Sequence, residues 1–198
     1  RQLSTQTLNE VREMVRGVRE AGPNFDICVE AHGKFNLATA GRIVKMLEPF
    51  DVFFLEEPVP PENVDAMAIL QHSTNIPIST GEGLQSHWNY KELLQKQAAR
   101  IIQPDAARTG GITAMKKIAA MADAHYVTVA PHNPNGPICT AASIHVAASK
   151  GHVEGLRAMA AQGADFRKAC HQGCNPVYMA ARFGQVECIK VLAALGAD

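Results

Sequence analysis

Five carboxylate or imidazole side chains recur along this chain at a nearly regular interval. They are Glu30, Glu56, Glu82, Asp105 and His132. Each follows a short apolar run, and the length of chain between one member and the next is close to that of one strand–helix unit. This spacing predicts one polar group at the carboxyl end of each successive parallel strand, which is where parallel α/β folds place their active sites.

The three glutamates of this series indicate a metal site. Carboxylates that converge at one edge of a sheet repel one another unless a hard cation lies between them, and Mg²⁺ takes oxygen ligands while leaving positions open for a substrate. His32 follows Glu30 by two residues and therefore falls on the same face of its strand. The residue types thus favour Mg²⁺ between converging carboxylates, with an imidazole nearby.

The elements that would position these groups are visible between residues 25 and 134. Short β-branched runs alternate with amphipathic stretches of helical spacing, which predicts a parallel sheet with right-handed crossovers. The strand candidates are FDICVEAHG, FDVFFLEEP, IPISTGEG, RIIQPDAA and YVTVAPHNP. Helices are expected near residues 4–21, 39–47, 63–72, 89–97 and 112–124.

The composition narrows the class of protein. Nineteen basic and nineteen acidic residues balance, which gives no electrostatic footprint for nucleic acid or for an anionic membrane surface. The apolar runs are far shorter than a membrane span. Five scattered cysteines favour a reducing compartment, so a cytoplasmic location is expected. The CHQGC stretch at Cys170 to Cys174 has no second ligand pair, so a tight loop is preferred over a zinc site.

A second pattern begins after Ala147. AASKGHVEGLRAMAAQGAD and AARFGQVECIKVLAALGAD align without a gap, so that Ala147 matches Ala180 and Asp165 matches Asp198. A fixed offset of this size is typical of stacked helical repeats, and NPVYMAARFGQVECIKVLAALGAD resembles the ankyrin repeat. The resemblance implies a surface that binds another protein.

The strand ends carry a second resemblance. EAHGKF, FLEEP, STGEG, IIQPDAARTGGIT and VAPHNPNGP are similar to the successive strand ends of the enolase superfamily, in its mandelate racemase subgroup, and most of all to galactonate-dehydratase-like enzymes. The resemblance covers about residues 4–149. It implies an α/β fold: a partial (β/α) TIM-type barrel with about five parallel strands, followed by an all-α ankyrin-like segment. The expected domains are 1–149 and 142–198, which share one helix over residues 141–149.

The resemblance also implies a reaction. Glu30, Glu56 and Glu82 would bind Mg²⁺, which would hold the carboxylate of a sugar acid and stabilise the charge formed when the adjacent carbon loses a proton. His132 would be the base, oriented by Asp105. His32 would protonate the departing β-hydroxyl, which favours dehydration to a 2-keto-3-deoxy acid over racemisation or cycloisomerisation.

Simpler interpretations stand beside these. A glutamate at a strand end is often a solvated charge, and His132 alone could be a loop histidine. Glu57 faces away from Glu56 and is expected to bond to loop backbone, while the histidines outside the strand-end series are expected to be structural or exposed. Glu30 also departs from the related dehydratases, in which the first ligand is commonly Asp.

The barrel and the repeat both look short. A barrel of this type closes at about eight strands, and stacked repeats generally need at least three units. The first residue is Arg1, which suggests a fragment, and the open sheet edges could pair with another chain in a homo-oligomer. Two hypotheses follow: a Mg²⁺-dependent sugar-acid dehydratase, and an inactive fusion that serves as an ankyrin interaction scaffold.

Overall fold

The five predicted strands form one parallel sheet in the computed structural model, which describes residues 2–134, 136–169 and 173–197. The strands are β1 (Cys28–Glu30), β2 (Phe54–Glu56), β3 (Ile78–Thr80), β4 (Ile101–Ile102) and β5 (Thr128–Val129). Their order in the sheet is the order of the sequence, with β1 and β5 at its two edges. The prediction of an α/β fold with five parallel strands is confirmed, and this arrangement is consistent with part of a TIM-type barrel.

Helices separate the strands as the apolar periodicity predicts. In chain order they are α1 (Thr5–Ala21), α2 (Leu37–Leu47), α3 (Val64–His72), α4 (His87–Gln95), α5 (Ala106–Thr109) and α6 (Gly111–Ala124). Side-chain caps fix several starts, because Ser4, Asn36 and Asn63 each accept a hydrogen bond from the third backbone N–H ahead. The chain divides into two compact units, residues 1–104 with 118–130, and residues 105–117 with 131–198.

The core of the first unit lies between the sheet and its helices. The register aligns Val29 with Leu55 and Leu55 with Ile78, so these apolar side chains share the helix-covered face. Leu55 and Ile78 are fully buried. Since side chains alternate along a strand, the same register turns Glu30 and Glu56 to the opposite face. Burial of the apolar face therefore determines where the carboxylates point.

The second unit contains the helices that follow the sheet. They are α7 (Pro137–Lys150), α8 (Val153–Ala161), α9 (Pro176–Arg182) and α10 (Val186–Ala194). The predicted helix over residues 141–149 lies within α7. Helices α8 and α10 begin and end at positions that the sequence alignment equates, and the backbone hydrogen bond from His152 to Ala147 recurs from Gln185 to Ala180. The repeat of the sequence is therefore also a repeat of backbone geometry.

Glycines follow α7 and α9, the helices that precede α8 and α10. Gly151 (φ 78°) and Gly184 (φ 68°) adopt the left-handed conformation, which costs glycine least. Leu156 in α8 and Leu192 in α10 are fully buried in one shared cluster.

Within the described part of the chain, no helix is long and apolar enough to span a membrane. Part of the CHQGC stretch, including Cys170, lies outside the described residues. The predicted domain bounds, 1–149 and 142–198, stay a prediction.

Candidate functional site

The sheet brings two predicted metal ligands side by side. Glu30 ends β1 and Glu56 ends β2, and the two residues are direct partners in the parallel register. Their side chains leave the sheet on the same face, so that the negative charge of Glu56 acts on the Glu30 carboxyl. The buried hydroxyl of Ser79, aligned with Glu56 on β3, has no hydrogen-bond partner among the described residues.

Two loop residues join this pair. Glu82 follows β3, and His32 follows β1 in a left-handed backbone conformation (φ 52°). The His32 Nδ1 lies 3.9 Å from a carboxylate oxygen of Glu30 and 3.9 Å from one of Glu82. The backbone N–H of His32 also donates to Glu30 Oε1. The turn after β1 thus folds the imidazole back toward the carboxylates.

Burial and neighbouring acidic groups raise the pKa of Glu30. Desolvation is the largest cause, followed by the negative charge of Glu56, and together they raise the pKa of Glu30 to about 7. The charge of Glu82 acts in the same direction, while the backbone N–H of His32 opposes it. Negative charge is therefore in excess at this edge of the sheet in the absence of a cation.

The donor atoms fit a bound cation. One ligand atom from each of Glu30, His32 and Glu82 can be chosen so that all lie within 4.8 Å of one another. Oxygen-rich sets of this kind suit Mg²⁺, and a positive ion would relieve the repulsion that raises the pKa of Glu30. His32 therefore lies beside the position expected for the cation, whereas Glu56 is not a member of this group of three and lies next to Glu30 in the register. The ligand assignment itself stays a prediction.

Glu57 has the structural role expected from its orientation. Its side chain is buried and accepts hydrogen bonds from the Thr80 hydroxyl at 3.1 Å and the Gly81 N–H at 3.4 Å. Desolvation by burial raises the pKa of Glu57, although both hydrogen bonds act against that rise. Glu57 therefore links the end of β2 to the end of β3, next to the loop that carries Glu82.

The second unit contains the predicted histidine–aspartate pair. Asp105 lies just after β4 and His132 just after β5, and their backbones form an isolated parallel bridge. The His132 Nδ1 lies 2.9 Å from Asp105 Oδ2, and the Asp105 side chain is completely buried. A carboxylate on Nδ1 fixes the tautomer of the ring and leaves Nε2 for proton transfer.

Asp105 is held from several directions. Its Oδ1 accepts a hydrogen bond from the Ala107 N–H at 2.7 Å and lies 3.6 Å from the Sγ of Cys139. Desolvation acts to raise the pKa of Asp105, but the hydrogen bonds from His132, Ala107 and Cys139 outweigh it, so the pKa lies below its ordinary value. The group is thus kept ionised although it is buried.

The structure brings the predicted residues together in two groups. Glu30, Glu56 and Glu82, the acidic cluster, lie in the first unit together with His32, and Asp105 pairs with His132 in the second. Sequence reasoning missed Cys139, which it treated only as one of five scattered thiols. Its position on the helix after the His132 loop is the signal that could have marked it. Of the other histidines, His145 is buried in α7 and His152 caps α8.

Comparison with known proteins identifies the family. Residues 2–177 match the family model described as "Enolase C-terminal domain-like". The chain therefore belongs to the enolase C-terminal domain-like family, as the strand-end motifs predicted. The match continues beyond residue 149 into the helical segment.

Curated relatives are dehydratases of sugar acids. The chain is 41% identical over 150 residues to D-xylonate dehydratase of Haloferax volcanii, covering 75% of this chain and 36% of that protein. It is 39% identical over 140 residues to D-galactonate dehydratase of Cronobacter sakazakii, covering 71% of this chain and 35% of that protein. The chain thus spans about a third of the length of these relatives.

Solved structures give the same fold. A mandelate racemase/muconate lactonizing enzyme from Sulfitobacter sp. superposes with a TM-score of 0.72 at 34% identity, covering 74% of this chain and 37% of that one. An enolase from Agrobacterium radiobacter, bound to Na and L-malate, superposes with a TM-score of 0.65 at 38% identity, covering 69% and 35%. Together with the family match, the first comparison places the chain among the mandelate racemase-like members of the enolase superfamily.

Proposed function

We propose that this chain carries the site of a Mg²⁺-dependent dehydratase that converts a galactonate- or xylonate-type sugar acid to a 2-keto-3-deoxy acid. The observation that carries the proposal is the acidic cluster of Glu30, Glu56 and Glu82, whose excess negative charge calls for a cation. The dehydratase relatives supply the substrate class. The His132–Asp105 pair supplies a base of the kind that this chemistry needs.

Each residue has one task in this reaction. Glu30, Glu56 and Glu82 would hold Mg²⁺, which when bound neutralises the substrate carboxylate and makes the adjacent C–H more acidic. His132 takes the proton from that carbon at Nε2, because Nδ1 is engaged by Asp105. His32 gives a proton to the β-hydroxyl, which leaves as water while the carbon–carbon double bond forms. The resulting enol becomes the ketone by moving one proton to the β-carbon.

The test is an assay of the full chain with Mg²⁺ and a panel of aldonic acids that includes D-galactonate and D-xylonate. Product is followed by ¹H NMR in D₂O, in which a 2-keto-3-deoxy acid gains one deuterium at C3. We expect product from at least one acid, and loss of activity with Glu56→Gln and with His132→Asn. No product from any acid at high protein concentration would contradict the proposal for this chain.

A second candidate function is protein binding by the helical segment, with the barrel residues as a scaffold. What supports it is the repeat of backbone geometry between α8 and α10, together with the resemblance of the sequence of residues 175–198 to the ankyrin repeat. Exposed apolar side chains on this segment add to this, namely those of Tyr178, Phe183 and Val186.

Calorimetry distinguishes the two candidates. The scaffold hypothesis in its inactive form predicts no specific Mg²⁺ binding. Tight binding in the wild-type chain that is lost on Glu56→Gln, and retained on Glu62→Gln, would exclude that form. Glu62 is a suitable control because it is exposed and belongs to the loop before α3 rather than to the acidic cluster.

A further inference from the structure

The environment of the Asp105 carboxylate contains a donor that the proposed reaction does not use. The Cys139 Sγ lies on α7, 3.6 Å from Asp105 Oδ1, a normal distance for a hydrogen bond from the larger sulfur atom. Cys139 is 4% exposed, so water has little access to its thiol. The same oxygen accepts the Ala107 N–H, and the other oxygen faces His132.

The two contacts to Asp105 Oδ1 come from donors at different distances along the sequence. The Ala107 bond is local, since its donor is two residues away on α5, and it moves with Asp105 itself. The Cys139 contact is long-range in sequence and ties the carboxylate to α7, the helix that follows the His132 loop. Cys139 packs with Ala106, Met115 and Val146 in one small apolar cluster, which fixes the direction of its side chain.

We infer that Cys139 is a positioning residue that acts on His132 through Asp105. Its thiol donates to Oδ1, so that it shares the negative charge of the carboxylate and presents Oδ2 to the imidazole Nδ1. The role of His132 as a base rests on the proposed function, whereas the three-membered network of thiol, carboxylate and imidazole does not depend on turnover.

The inference has a physical consequence for the imidazole. In a buried site of low effective dielectric, removing one donor from a carboxylate concentrates its charge on the donors that remain. With the thiol absent, Asp105 draws more strongly on the Nδ1 proton of His132. The titratable groups of this network are His132 from the loop after β5, Asp105 from the loop after β4 and Cys139 from α7.

The experiment compares three substitutions in the full chain by NMR of the His132 imidazole. Cys139→Val keeps the approximate volume and removes the donor, Cys139→Ser keeps a donor, and Cys139→Ala is a smaller second variant should valine perturb folding. We expect the Nδ1 proton resonance to move downfield in Cys139→Val and Cys139→Ala. Cys139→Ser should restore a resonance close to that of the wild type.

The matched control is Cys188→Val. Cys188 is also buried in the second unit, but it packs in the cluster of α8 and α10 around Leu156 and Leu192. It should leave the His132 resonance unchanged. An unchanged or upfield resonance in folded Cys139→Val and Cys139→Ala would overturn the inference, as would an equal shift in Cys188→Val.

Turnover gives an independent check. If the chain is a dehydratase, a more strongly held Nδ1 proton makes the imidazole more basic, so the acid limb of the kcat/KM profile should move to higher pH in Cys139→Val and return in Cys139→Ser. A chain with no dehydratase activity but with the expected NMR shifts would refute the proposed function and leave the positioning role intact. Dehydratase activity without the NMR shifts would support the proposed function and refute the positioning role of Cys139.

Discussion

The sheet unit and the helical unit reach their structures by different kinds of contact. In the first, strands separated by a whole helix must pair in parallel, so every pairing joins residues distant in sequence. In the second, α8 and α10 repeat one local pattern, with a glycine turn before each helix and a buried leucine within it. Long-range pairing can bring carboxylates together against their repulsion, whereas local repetition builds an apolar cluster between similar helices.

The two units also treat a carboxyl group in opposite ways. Glu30 is partly desolvated and lies beside two further glutamates, and its pKa rises to about 7. Asp105 meets three hydrogen-bond donors, and its pKa falls. The same electrostatic rules therefore raise the pKa of one carboxyl group and lower that of the other.

Truncation of one core leucine in each unit tests the structural contrast most strongly. Leu55→Ala and Leu192→Ala each remove a fully buried side chain, and each should lower the free energy of unfolding by about 2–5 kcal/mol. Hydrogen exchange followed by mass spectrometry should show faster exchange of the β1–β4 amides in Leu55→Ala, and of the α8–α10 amides in Leu192→Ala. Equal acceleration throughout the chain in both variants would erase the contrast between the units.

Removal of the Glu57 carboxylate should have the next largest effect. Glu57→Ala leaves the buried hydroxyl of Thr80 and the Gly81 N–H without this acceptor, at a cost of about 1–3 kcal/mol in urea unfolding. Glu57→Gln keeps an acceptor oxygen and should lose less. If the two variants unfold at the same urea concentration, the bonds between the ends of β2 and β3 contribute little to stability.

Asp105 should stabilise the fold with a pH dependence set by its lowered pKa. Its contribution is present above the unfolded pKa of about 3.9 and is lost as the pH falls through the lower folded value. Asp105→Asn should therefore unfold at lower urea than the wild type at pH 6, with a difference that shrinks toward pH 3. A difference that stays constant over this range would show that the aspartate charge is not what stabilises the pair with His132.

Glu30 should show the opposite sign and the smallest effect, because its side chain is half-exposed. A raised folded pKa favours the protonated form, so its stabilisation is present below the unfolded value of about 4.3 and is lost as the pH rises through about 7. In EDTA, the melting temperature of the wild type should fall between pH 5 and 8, in part because Glu30 ionises. Glu30→Gln should remove that part of the fall. A slope identical to that of the wild type would indicate that desolvation and the charges of Glu56 and Glu82 do not raise the pKa of Glu30.

Much of the fold could be predicted from the periodicity of apolar residues and from the positions at which each apolar run ends. Alternating apolar runs predicted all five strands, and the predicted bounds of α2, α3 and α6 differ from the observed bounds by two residues or fewer at each end. Side-chain alternation correctly assigned Glu57 to a structural role, since a period of two separates it from Glu56. Burial of Asp105 and the turn that folds His32 back were not readable, because both depend on backbone angles and neighbours outside the local sequence.

The sequence by itself determined the parallel α/β pattern, the tandem helical repeat and the series of polar residues after the strands, because each follows from spacing along the chain. Only the tertiary structure decided that Glu30 lies beside Glu56, that His32 lies against Glu30 and Glu82, and that Cys139 donates to Asp105. Those contacts depend on strand register and on which side chains lose water, and both are properties of packing between segments far apart in sequence.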